Sequence, residues 1–98
     1  MILVKVLKKE IEIKGHALYD DYGKDIVCSA VSSIVITTVN GIISIDEDAI
    51  LYQVSDGKIV IKIKKDDEIT TKLIDNMIDL LKKLSSDYPD NIKIEEGV

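Results

Sequence analysis

Apolar and polar side chains alternate at the start of the chain, which is the pattern of strands with one buried face. In residues 2–7, β-branched Ile2, Val4 and Val6 alternate with Leu3, Lys5 and Leu7, and apolar and charged residues alternate over residues 11–14, after a charged pair at residues 9–10. The charged pair interrupts the pattern where a turn is needed. We therefore predict a hairpin that ends at residues 15–16.

The middle of the chain contains a second and stronger hairpin signal. Residues 49–55 and 58–64 are rich in β-branched side chains and lie on either side of Asp56-Gly57. Asp-Gly is favoured in two-residue hairpin turns because such turns require positive φ angles. A short alternating run at residues 91–95 predicts the last strand of the chain.

Residues Ile26–Ile45 allow two interpretations. The segment is rich in β-branched residues and contains Asn-Gly at residues 40–41, which favours a hairpin. Its apolar residues do not alternate, however, and one helical stripe carries small polar side chains: Ser29, Ser33, Thr37 and Asn40. On this periodicity we predict a helix, with Asp25 as its N-cap and Gly41 as a possible C-cap. Its wide apolar face predicts that it is covered on more than one side.

The same segment carries no charge for twenty residues, which is the length of a membrane span. It contains four serines, two threonines and an asparagine, and Asp25 and Asp46 flank it without an excess of Lys or an aromatic belt. Residues 1–7 lack the uninterrupted apolar run of a signal peptide because Lys5 divides them. We expect a cytoplasmic protein with no membrane partner.

The remaining apolar residues follow helical spacing over a segment that ends before Pro89: Leu73, Ile74, Met77, Ile78, Leu81 and Leu84. The predicted order is β-β-α-β-β-α-β. This order predicts an α+β fold with two helices and an antiparallel sheet, in a single domain that covers residues 1–98.

The amino-acid composition excludes several classes of function. The chain has 98 residues and a net charge of −5, with no Arg, Trp or Phe. This charge argues against direct nucleic-acid binding, which needs clustered basic residues. With one Cys and one His, the chain cannot form an internal disulfide or a zinc site of the Cys- or His-rich kind. We predict no metal and no cofactor.

The only His and the only Cys lie twelve residues apart, His16 at the end of a predicted strand and Cys28 near the start of the predicted helix. With Asp25 as N-cap, Cys28 occupies the third helical position. There the free backbone N–H groups and the helix dipole favour a thiolate. A neighbouring imidazole can act as base toward the thiol and as acid toward a leaving amine, while the same amides donate to an oxyanion.

Each of these residues also has a simpler interpretation. A lone Cys is commonly a small buried hydrophobe, and a lone His near a loop is commonly a polar surface residue. In this simpler interpretation Asp25 is only a helix cap, and Tyr19 and Tyr22 only pack within a loop. Ser32, one turn after Cys28, bonds in that case to a main-chain carbonyl.

A family resemblance decides between these interpretations. Gly15-His16, Gly23, Asp25 and residues 28–32 (CSAVS) resemble the signature of the ribosomal-processing cysteine protease family, Prp. Chain length and element order fit as well, so the resemblance spans nearly the whole chain. It implies that His16 and Cys28 are the catalytic dyad and that Asp25 and Ser32 have supporting roles, together with the motif glycines Gly15 and Gly23.

The resemblance also implies a substrate and an assembly. The substrate is a large-subunit ribosomal protein, from which the enzyme removes an N-terminal extension, and the assembly is a homodimer. Residues 17–24 form a loop between the two catalytic residues that we expect to be mobile without substrate, with Tyr19 and Tyr22 as its substrate-binding side chains. The alternative is a non-enzymatic ribosome-associated module whose acidic surface binds a basic ribosomal protein without cleaving it.

Overall fold

The structure is a computed structural model that describes residues 1–15, 22–55 and 57–97, with the backbone alone over residues 22–25. Its elements follow the predicted order β-β-α-β-β-α-β. They are β1 (Ile2–Val6), β2 (Glu10–Lys14), α1 (Tyr22–Ile45), β3 (Ile50–Ser55), β4 (Lys58–Ile63), α2 (Glu68–Asp87) and β5 (Ile92–Glu96).

The five strands form one sheet in the order β3-β4-β2-β1-β5. Both predicted hairpins pair antiparallel, and β2 pairs antiparallel with β4. The expectation of a purely antiparallel sheet is wrong, because β5 pairs with β1 in parallel. The physical reason is the connection through α2, which crosses the sheet and brings β5 back parallel to β4. Because β4 and β1 are both antiparallel to β2, β5 is also parallel to β1.

Both helices cover the same face of this sheet. α1 joins the parallel strands β2 and β3, and α2 joins the parallel strands β4 and β5, each as a crossover. The crossover through α1 runs toward one edge of the sheet and the crossover through α2 toward the other edge, and the strands from which they start are antiparallel. Because crossovers between parallel strands are right-handed, both helices lie on the same face of the sheet. There they pack against each other over the alternating buried residues of the strands, among them Val4, Ile13 and Ile61.

The segment with two interpretations is a helix, but its ends differ from the prediction. α1 begins at Tyr22 rather than after Asp25, and it continues through Gly41 to Ile45. The N–H of Asp46 donates to the carbonyl of Ile42 at 2.8 Å, which completes the last helical turn. Gly41 is therefore an interior helical residue and not a C-cap, and Asp25 lies inside the first turn and is not the N-cap.

Within the described residues, the segment Ile26–Ile45 of α1 is long and apolar enough to cross a membrane, judged by length and composition alone. A core helix of a soluble protein passes the same test. One stripe of the segment is buried against the sheet and α2: Val27, Val31, Val35, Val39 and Ile42.

α2 ends before Pro89, as its sequence predicts, and it begins after a cap at Asp67 that the sequence analysis did not name. The carboxylate of Asp67 accepts a hydrogen bond from the backbone N–H of Thr70 at 2.8 Å and so caps the helix. This backbone hydrogen bond holds the pKa of Asp67 below its ordinary value. The helix ends at Asp87, two residues before Pro89, and buries one stripe: Thr70, Ile74, Met77 and Leu81.

Candidate active site

The predicted site begins where β2 ends, at Gly15. Gly15 has a φ of +83°, a conformation that residues with a Cβ rarely adopt. Its N–H donates to the carbonyl of Gly57 at 3.0 Å, so it is tied to the turn between β3 and β4. A Cβ at this position would collide with the carbonyl oxygen of Met1. Gly15 is therefore required by both its backbone angle and its surroundings.

His16 follows Gly15 in the sequence, and Tyr19 follows three residues later. Both fall outside the described residues, as does the greater part of the predicted loop 17–24. The pairing of His16 with Cys28 therefore stays a prediction from the motif.

Cys28 lies on α1 between two fully buried valines of the core stripe, Val27 and Val31. Its own side chain is half-buried and packs against the edge of the core. This environment holds the thiol in place by packing while leaving part of it at the surface. A nucleophile requires both properties, since it must be oriented and must also be reached by a peptide.

The predicted activation of Cys28 by the helix start is wrong. α1 begins at Tyr22, so Cys28 is its seventh residue, about 9 Å along the axis from the first one. The dipole effect falls off within the first turn. The amide of a seventh residue also bonds within the helix, because only the first four N–H groups lack an intrahelical partner. The N–H groups without an intrahelical partner belong instead to residues 22–25.

Three other predicted site residues fall in the first turn of α1: Tyr22, Gly23 and Asp25. The loop prediction is therefore wrong at its C-terminal end, where Tyr22, Gly23 and Lys24 are helical. The helical pattern starts earlier than the cap signal suggested, because Asp is tolerated in the first turn of a helix as well as at its N-cap.

Ser32 lies one turn after Cys28, on the same side of α1, and is half-buried. This placement is compatible with the supporting role that the motif implies. The simpler role for such a hydroxyl occurs elsewhere in the helix, where Thr38 Oγ1 donates to the carbonyl of Ile34 at 2.9 Å. Within the described ranges, no group of three or more His, Cys, Asp or Glu residues could hold a metal ion.

The sequence prediction missed the neighbours of Gly15. Gly57 was interpreted only as part of a hairpin turn, and Met1 was given no role. The Asp-Gly signal located the turn correctly, but only the order of strands brings that turn beside Gly15, because β4 pairs antiparallel with β2 and begins where β2 ends.

Comparison with known proteins places these observations in a family. The sequence profile of the family described as cysteine protease Prp matches residues 1–93. The ribosomal processing cysteine protease Prp of Mycoplasma genitalium is 31% identical over 106 residues, covering 98% of this chain and 96% of that protein. The protein of the same name from Bacillus subtilis is 29% identical and covers 89% of this chain and 84% of its own length.

Solved structures agree on the fold. An essential ribosomal processing protease Prp from S. aureus, in complex with a substrate peptide, superposes with a TM-score of 0.91. The match has 23% identity and covers 99% of this chain and all of that one. A second structure of the S. aureus protein, with a covalently linked product peptide, has a TM-score of 0.87 and 24% identity. Family profile, relatives and fold agree, and the chain belongs to the cysteine protease Prp family.

Proposed function

We propose that this cysteine protease removes the N-terminal extension of a large-subunit ribosomal protein, with Cys28 as nucleophile and His16 as general base and acid. The observation that carries the proposal is the sequence match over almost the whole chain to relatives named ribosomal processing cysteine proteases. The S. aureus protease with a similar fold binds a substrate peptide in one structure and a covalently linked product peptide in another. Membership in a protease family leaves the non-enzymatic binding module without support.

The mechanism follows from the two side chains. His16 takes the proton from the thiol of Cys28, and the sulfur attacks the scissile carbonyl carbon to form a tetrahedral intermediate. When this intermediate collapses, the C–N bond breaks and the imidazolium gives its proton to the leaving amine. Water, deprotonated by the same imidazole, then attacks the thioester, and the sulfur leaves with the carboxylic acid product released. No cofactor or metal takes part in these steps.

The charge of the enzyme supports a basic substrate. The chain carries 18 acidic and 13 basic residues, and a net negative charge attracts a substrate of the opposite charge. The same net charge of −5 speaks against direct contact with RNA in the ribosome. We place the enzyme in the cytoplasm with no membrane partner, because the apolar stripe of α1 is used in the core of the domain.

The second part of the proposal is a homodimer in which α1 is partly covered by a second copy. Four isoleucines of this helix remain exposed when the single chain has folded: Ile26, Ile36, Ile43 and Ile45. Between them lie small uncharged residues such as Ser33 and Thr37, which are also exposed. An uncharged helical face with exposed isoleucines is suited to packing against an identical face, whereas a freely solvated helix normally carries charges there.

The test is to incubate the enzyme with the ribosomal protein of the same cell that carries an N-terminal extension and to measure the intact masses of the products. Wild-type protein should yield two fragments whose masses add up to that of the substrate plus one water. Cys28→Ala is the matched control, because it removes the sulfur with little change in volume, and it should yield none. Cleavage at the same bond by pure Cys28→Ala protein, or no cleavage by folded wild type, would refute the proposal.

A further inference from the structure

The backbone immediately before His16 is restrained more tightly than the end of a strand requires. The β2–β4 ladder has its last residue pair at Lys14 and Lys58, and the bond from Gly15 N–H to the Gly57 carbonyl extends it by one more residue. On the other side of Gly15, the carbonyl of Met1 approaches closely enough to exclude a Cβ. Gly15 is therefore held between two backbone segments.

Gly57 is restrained for a different reason. Its φ of +67° lies in the left-handed region, yet a Cβ built on it meets nothing within 4 Å. There is room for a side chain at position 57, so only the backbone angle favours glycine there. Together with ψ, this angle determines the direction of the Gly57 carbonyl, which accepts the hydrogen bond from Gly15.

We propose that Gly57 is a positioning residue for catalysis: its carbonyl accepts the hydrogen bond from Gly15 and so fixes the backbone of the residue that precedes His16 in the sequence. The inference rests on the proposed dyad. Gly57 lies 41 positions after His16 in the sequence and outside the motif, but the strand order places it beside Gly15. A general base acts only within hydrogen-bond reach of its partner, so a small shift of its backbone lowers turnover.

The first experiment compares three variants for peptide cleavage and for alkylation of Cys28 by iodoacetamide across pH, each at a temperature where the protein is fully folded. Gly57→Ala should lower kcat about tenfold with little change in KM, because Ala disfavours the left-handed conformation. Gly57→Asn should recover most of the loss, because Asn tolerates that conformation. Gly41→Ala is the matched control, since its Cβ points into open space from a regular helix, and it should keep wild-type kcat.

The alkylation profile separates positioning from simple stability. If Gly57 acts through His16, then Gly57→Ala should shift the pH dependence of Cys28 alkylation in the same direction as His16→Ala, and by less. A turn that only stabilises the fold would lower the unfolding midpoint and leave kcat and this profile unchanged, which would overturn the inference. The proposed function is tested separately, because wild-type cleavage and its loss in Cys28→Ala do not depend on Gly57.

A second variant removes the hydrogen bond without altering any side chain. The single cysteine allows a synthetic peptide of residues 1–27 to be joined to residues 28–98 by native chemical ligation, which rebuilds the full chain. Replacing Gly15 by glycolic acid exchanges its N–H for an ester oxygen, and the all-amide ligated protein is the control. We expect a severalfold lower kcat in the ester protein. Equal kcat in the two ligated proteins would show that the bond to Gly57 has no part in positioning.

Discussion

The two helices of the domain lie side by side on the same sheet, yet their surfaces are of opposite kinds. α2 buries one stripe and exposes charged residues on the rest of its surface, including an ion pair between Glu68 and Lys72 at 3.0 Å. α1 also buries one stripe, but from Ile26 to Ile45 it carries no charge, and several of its isoleucines remain exposed. Burial within one chain accounts for most of the apolar pattern of α2, where, among the described residues, only Ile69 and Leu80 are large exposed apolar residues, and for a smaller part of the pattern of α1.

This difference shows that the apolar pattern of a helix depends on every surface that the helix contacts, and not only on the core of its own chain. α2 needs a core on one side and water on the other, and it stabilises the domain. α1 carries the predicted nucleophile Cys28 near its start, and its outer face is suited to contact with another protein surface. The comparison can be sharpened by changing matched positions on the two helices.

The largest effect is expected at Cys28. Cys28→Ala should lower kcat at least about 10⁴-fold while leaving the unfolding midpoint close to that of wild type, because the change in volume is small. His16→Ala should lose nearly as much activity, since the chain has no second His. The double variant should be little worse than either single one, because the two residues act as one unit. Additive losses, measured by steady-state cleavage of a substrate peptide, would contradict a dyad.

On α2 the largest expected effect is on stability instead. Leu81 is fully buried, and Leu81→Ala should lower the free energy of unfolding by about 3 kcal/mol because it leaves a cavity. Denaturation in urea measures this loss. Below the new midpoint the folded fraction should retain wild-type kcat. A variant that is stable but inactive would show that α2 contributes to the site, against the division of roles proposed for the two helices.

The exposed faces provide a matched pair for assembly. Ile36 on α1 is 45% exposed and Leu80 on α2 is 39% exposed in the single chain. Ile36→Lys should weaken the homodimer at least about tenfold in dissociation constant, because a charge is desolvated at the interface. Leu80→Lys should leave it unchanged. Sedimentation at micromolar concentration distinguishes the outcomes, and a wild-type monomer there would remove the dimer from the account.

The smallest expected effect compares the starts of the two helices. Asp67→Ala removes a true N-cap and should slightly lower the urea midpoint of unfolding near neutral pH. Asp25→Ala should cost less, because Asp25 lies inside the first turn of α1. Equal losses of unfolding free energy in the two variants would favour the original cap prediction for Asp25.

The cap of α2 also predicts a pH dependence. Because the pKa of Asp67 is lowered in the folded state, its contribution to stability is present above the ordinary carboxyl pKa of about 4 and is lost as the pH falls further. The difference between wild type and Asp67→Ala should therefore be constant from about pH 5 to 7 and vanish near pH 2. A difference in unfolding free energy that persists unchanged at pH 2 would show that Asp67 acts by some means other than its carboxylate.

Most of the fold could be predicted because local patterns determine it. Both hairpins, α2 and the order of elements follow from alternation, from Asp56-Gly57 and from the apolar spacing before Pro89. The parallel pairing of β5 with β1 could not be predicted in this way, since it depends on a crossover between residues far apart in the sequence. The start of α1 was misplaced because Asp25 fits a cap and a first turn equally well.

The same distinction between local patterns and long-range contacts applies to the candidate site. Cys28 and its motif partners are predicted from residue types, spacing and the family motif, whereas the contact of Gly15 with Gly57 exists only because the sheet brings the β3–β4 turn beside the end of β2. The predicted effect of the helix start on Cys28 failed for a local reason, since an earlier helix start moves the free amides away from the thiol. Motif residues are therefore predictable from sequence, and the groups that restrain them are not.

The central claim is that Cys28 is a nucleophile activated by His16, and covalent trapping tests it most directly. A peptide with the sequence of the ribosomal protein's extension, ending in a chloromethyl ketone, is mixed with the enzyme, and fragmentation mass spectrometry locates the adduct. We predict one adduct per chain, on Cys28, formed much more slowly in His16→Ala and absent in Cys28→Ala. An adduct that forms equally fast without His16, or a folded wild-type protein that forms none, would contradict the account.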